Sequence, residues 1–187
     1  MKKIVFLVSA LLLAVCAVSA QTTTPSVTTT QKLATGWDIF TEPLDLVHSN
    51  VMWSVSTAHK LTVTYNFVKA QPNKLYQVGA HIICTTFPAT FGQFPTSNGG
   101  GSCPMITKQG VTRGVVAVEM GVVTTDLHGN GTFKVVVGPI TSGTYDLEFT
   151  VRNGAGCNLS GGGGNAGCAI DFQSPGPFGT TTTVVVP

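Results

Sequence analysis

Between residues 114 and 152, apolar and polar positions alternate in three runs separated by two turn signals. That pattern predicts a three-stranded antiparallel meander. The third run is the most regular. Tyr145, Leu147, Phe149 and Val151 fall on one face, and Thr144, Asp146, Glu148, Thr150 and Arg152 fall on the other. A period of two with one apolar face predicts a sheet with one side in a core and the other in water. In the first turn, Asn130-Gly131 tolerates positive φ, so a tight hairpin is expected there.

The rest of the chain repeats the theme. Residues 33–40 read as a short edge strand that ends at Thr41-Glu42-Pro43, since proline has no ladder donor. Residues 44–57 carry Val51, Trp53 and Val55 on one face. Residues 61–68 place Leu61, Val63, Tyr65 and Phe67 inward and Thr62, Thr64 and Asn66 outward. Residues 75–84 put Tyr76, Val78, Ala80, Ile82 and Cys84 on one face and Gln77, Gly79 and His81 on a polar one. Turns are expected at 58–60 and 71–74. Residues 85–102 and 157–168 read as long loops rich in glycine, and 169–172 and 180–186 as returning strands.

Eight or nine short strands with no substantial helix predict an all-β fold. The expected architecture is a two-sheet antiparallel β-sandwich, immunoglobulin-like in the broad sense. The resemblance is one of architecture. A true immunoglobulin domain pairs two cysteines between its sheets, whereas the cysteines here border loops. The His-x-His ligand pairs of a copper/zinc superoxide-dismutase-like sandwich are absent.

Residues 1–20 change the compartment and the charge. Lys2 and Lys3 precede an apolar run, and Val18-Ser19-Ala20 supplies a small-x-small cleavage site, so a signal peptide is expected. Lipoprotein anchoring through Cys16 is the alternative, and Val15 before the cysteine fits it poorly. Residues 21–32 are expected to form a Thr-rich flexible leader, and 33–187 a single domain. The expected location is secreted, extracellular or periplasmic. Without residues 1–20 the chain keeps eight basic and eight acidic residues. That neutral balance gives no electrostatic basis for binding nucleic acid, nor for membrane insertion after signal cleavage. Charged residues are 10% of the whole chain, against roughly 25% in typical soluble domains, and threonine supplies much of the polarity.

Four cysteines remain after cleavage, an even number in an exported chain. Sequential pairing, Cys84 with Cys103 and Cys157 with Cys168, is expected to close the two long loops. No CxxC spacing supports zinc. His48, His59, His81 and His128 form no close ligand pair and read as surface histidines. Asp126 brings one carboxylate to its turn, too few for calcium. Asp146 and Glu148 share a face that reads as solvated. No nucleophile elbow or phosphate loop is present, and no cofactor or metal is expected. Asn130 and Asn158 stand in glycosylation sequons, and the MKK start favours a bacterial host where these stay unmodified.

The uncharged loop after Cys84 carries Phe87, Phe91 and Phe94. These either cap the core or form an aromatic contact patch. The expected function is a secreted, non-catalytic binding or adhesion module that contacts an extracellular protein, glycan or surface ligand through its cysteine-bounded loops. A structural subunit of an envelope or filament, assembling through its terminal strands, is the alternative. A secreted hydrolase is the third possibility.

Overall fold

The computed structural model describes residues 29–35, 42–84, 105–108, 110–154, 170–176 and 180–187. Eleven strands run through them: β1 (Thr29–Lys32), β2 (Ala34–Thr35), β3 (Asn50–Val55), β4 (Leu61–Phe67), β5 (Leu75–Ile83), β6 (Met105–Lys108), β7 (Val111–Thr124), β8 (Gly131–Val137), β9 (Gly143–Asn153), β10 (Ile170–Ser174) and β11 (Thr182–Val186). All strand pairings are antiparallel and they form two sheets. The smaller has the order β1-β3-β4-β8; the larger runs β2-β10-β9-β5-β7-β6, with β11 also paired to β9. This is the expected β-sandwich. Pairing begins at Thr29, inside the stretch expected to be a flexible leader.

The period-two faces meet as their alternation requires. Leu61, Val63, Tyr65 and Phe67 from β4 pack with Tyr145, Leu147, Phe149 and Val151 from β9 in one buried cluster. Tyr65 stands edge-on to Phe149, and its hydroxyl donates to the Gly79 carbonyl across the sandwich. A backbone carbonyl inside an apolar core is thereby satisfied. A bulge in β7 shifts the register between the pairs Val78–Gly121 and Gly79–Glu119. It lets a 14-residue strand bend around the core.

The predicted meander does not form. β7 and β9 both pair with β5, whereas β8 crosses to the smaller sheet and pairs with β4. Phe133 of β8 instead lies against Gly121 of β7, where any Cβ would meet the ring at 2.3 Å. The turn between them also differs from the Asn130-Gly131 hairpin. Asp126 Oδ1 accepts the backbone N–H groups of His128 and Asn130 at 2.8 Å each, and Gly129 takes the positive φ of 75°. Gly131 is already the first residue of β8. Alternation specified the strands, but not which sheet each one joins.

Candidate functional site

Through its central strands the larger sheet is buried on both faces. Its second face carries Gln77, His81 and Ile83 from β5, Val115 and Ala117 from β7, Glu148 and Thr150 from β9, and Ile170 and Gln173 from β10, all buried. His81 and Glu148 were expected on a solvated surface. They are instead 1% and 0% exposed. The signal for this was present in the sequence. The run Gly114–Val118 is continuously apolar, as in a strand covered on both sides, although Tyr76–Ile83 beside it alternates.

The two residues face one another across β5 and β9. His81 Nδ1 lies 3.2 Å from Glu148 Oε2, and the same oxygen accepts a 2.7 Å bond from Arg113 Nη2 on β7. On the other side of the ring, Arg152 Nη2 lies 3.2 Å from His81 Nε2. A guanidinium only donates, so Nε2 accepts and the proton sits on Nδ1, directed at the carboxylate. Burial holds the His81 pKa below its ordinary value, with the two arginines reinforcing the shift and Glu148 opposing it. The cluster thus contains one carboxylate, two guanidiniums and a neutral imidazole whose ring nitrogens are both engaged by protein groups.

A second polar cluster lies where β5 begins and β9 ends. Glu42 contacts the Lys74 ammonium through Oε1 and accepts the Tyr76 hydroxyl on Oε2 at 3.0 Å. Asn153 Nδ2 donates to Glu42 Oε1 at 3.4 Å. None of the four was given a functional role from the sequence. Glu42 was read only as part of a strand-ending turn, and no local spacing links it to Lys74 or Asn153.

The outward face of the smaller sheet is different in kind. In register across β1, β3, β4 and β8 it presents Lys32–Asn50–Asn66–Thr132, then Thr30–Met52–Thr64–Lys134, then Ser54–Thr62–Val136. Asn66 Nδ2 donates to Asn50 Oδ1 at 2.9 Å, and Thr132 Oγ1 donates to Asn66 Oδ1 at 3.2 Å. The face has hydroxyls, amides and two lysines, and none of its eleven positions is a carboxylate.

Phe87, Phe91 and Phe94 lie outside the described residues, as do Cys103, Cys157, Cys168, Cys16 and Asn158. Cys84 ends the β5 region, half-buried against the core cluster. Asn130 is exposed in its turn. His48 pairs with Asp45 at 2.9 Å on the surface, and His59 sits in its turn with φ 57°. Among the described residues, no group of three or more His, Cys, Asp or Glu is placed to hold a metal ion. None of their helices is long and apolar enough to cross a membrane.

No family model, curated protein or solved structure matches this chain.

Proposed function

We propose that the protein is a secreted, non-catalytic binding or adhesion module that works as a self-contained unit. The observation that supports this reading is the use of the first and last described strands within the fold. β1 pairs with β3 over four residues, and β11 pairs with β9 over five, with Val184 and Val186 buried. Donating either strand to a neighbour's sheet would break this pairing, which favours a module over a subunit that gives up its terminal strands.

The acid–base pair that a hydrolase would need does not favour catalysis. His81 is bonded on both nitrogens and buried with Glu148, which supports a structural role. The contact surface in this reading is the outward face of the smaller sheet. Its hydroxyls and amides can exchange hydrogen bonds with a polar polymer without the desolvation cost of carboxylates, and its glycan-like partner would be neutral or anionic given Lys32 and Lys134. The phenylalanine loop after Cys84 is the second candidate surface. Export through cleavage of residues 1–20 and the sequential disulfides belong to the same proposal.

Co-sedimentation of the purified chain with insoluble polysaccharides, assayed together for released reducing sugar, tests the reading. Retention without sugar release is expected. Sugar release would overturn the non-catalytic assignment.

A further inference from the structure

Three groups of very different chemistry converge on Glu42. The Lys74 amine and the Asn153 carboxamide meet the same carboxylate oxygen, and the Tyr76 hydroxyl holds the other. The Lys74 nitrogen also lies 5.1 Å from the centre of the Tyr76 ring. The Lys74 and Glu42 side chains are 22% and 13% exposed, so water is largely excluded from the pair. Lys74 leads directly into β5 and Asn153 closes β9, and these two strands pair. Their ends are pinned together by the Tyr76–Gly154 bridge and a 3.0 Å bond from Gln77 N–H to the Gly154 carbonyl. A primary amine, a carboxamide and a carboxylate bonded to both are the reactants and the proton carrier of an amide exchange.

We propose that Lys74 and Asn153 become joined by a covalent amide bond, formed within the folded chain with Glu42 as the catalytic acid–base. Lys74 Nζ passes a proton to Glu42, and the neutral amine attacks Asn153 Cγ. The Nζ–Cγ bond forms as the carbonyl π pair moves onto Oδ1. When the tetrahedral species collapses, the Cγ–Nδ2 bond breaks and Nδ2 takes the proton back from Glu42. The remaining extra proton on Nζ goes to the departing ammonia, which leaves as ammonium. Glu42 ends as the carboxylate it began, and nothing is oxidised or reduced. Holding the reactants on one carboxylate replaces a bimolecular encounter with a step inside the fold. The product ties the start of β5 to the end of β9, a cross-link that restricts the unfolded chain as a disulfide does.

The test is tandem mass spectrometry on a digest of the purified full-length chain. A branched peptide joining the Lys74 and Asn153 segments is expected, lighter than its two parts by one ammonia. Reading the branched peptide separates the link from cyclisation of an N-terminal Gln21, which also sheds ammonia. Lys74→Arg, which keeps the charge beside Glu42 but removes the nucleophilic amine, should abolish the branch. Glu42→Gln should slow its formation by about a hundredfold or more. If Glu42→Gln does not fold, the wild-type and Lys74→Arg digests decide the link by themselves. A folded wild-type chain that yields only unbranched Lys74 and Asn153 peptides overturns the proposal. So does a branch from Lys74 to Glu42 formed with loss of water, and undiminished branching in Glu42→Gln overturns the role given to Glu42.

Discussion

Arg152 Nη2 lies 3.2 Å from Nε2 of His81, deep on the second face of the larger sheet. Protonating that nitrogen would set an N–H against a guanidinium, so the fold requires a neutral imidazole. Its pKa is depressed in the folded state and ordinary in the unfolded one, so below about 6.5 the unfolded chain binds the extra proton. Stability is therefore expected to fall as pH drops below 6.5. His81→Gln should flatten that part of a denaturation-midpoint profile. Asp45 and Asp126 act in a separate window. Hydrogen bonds lower both pKa values, the His48 side chain leading for Asp45 and the Asn130 backbone for Asp126. Their contribution is present above 3.8 and lost on further acidification. A slope below 6.5 that survives in His81→Gln would remove His81 from this account.

Glu148 and Asp146 share a strand face but differ in what removing them costs. Glu148→Ala leaves half-buried Arg113 without its carboxylate and buried His81 Nδ1 without its acceptor, a loss of roughly 3–5 kcal/mol. Asp146 is only half-buried and accepts a 2.9 Å bond from Thr183 on β11. Asp146→Ala should cost about 1 kcal/mol. Guanidinium denaturation of the two variants gives the comparison. Equal losses would mean that the buried cluster has no special weight.

Gly129 and Gly110 both have positive φ, 75° and 77°, but their surroundings differ. A Cβ on Gly129 would stand 1.9 Å from the Ala70 carbonyl oxygen, whereas one on Gly110 meets nothing within 4 Å. Gly110→Ala carries the backbone penalty alone, about 1 kcal/mol. Gly129→Ala adds a backbone collision and should cost about 3 kcal/mol or more. Thermal melts of the two variants would show the difference.

Much of the fold was legible because alternation reports faces directly. Leu61 to Phe67 and Tyr145 to Val151 point inward as their spacing requires. The cluster at Glu148 was not legible for a physical reason. A polar face of period two looks the same whether water or a half-buried arginine satisfies it. Its partners lie 67 residues away at His81 and 35 away at Arg113, beyond any local signal. The sheet that β8 joins was not legible either, since it pairs with β4, more than sixty residues away. Asp126 caps the turn through its side chain and Gly129 supplies the positive φ, so Asn130-Gly131 never forms a hairpin. The Glu42 cluster joins an irregular segment to two strand ends, and only the fold brings these together.

In the proposed function, the module binds through the outward face of its smaller sheet. The most direct measurement is co-sedimentation with insoluble polysaccharide, comparing wild type, a Thr64→Glu/Asn66→Glu variant and a Phe87→Ser/Phe91→Ser/Phe94→Ser variant, each confirmed as folded. The face variant should lose about tenfold or more in affinity, equivalent to roughly 1.4 kcal/mol, and the phenylalanine variant should bind as wild type. Unchanged binding by the face variant, with loss in the phenylalanine variant, would contradict the claim and place the contact on the loop after Cys84.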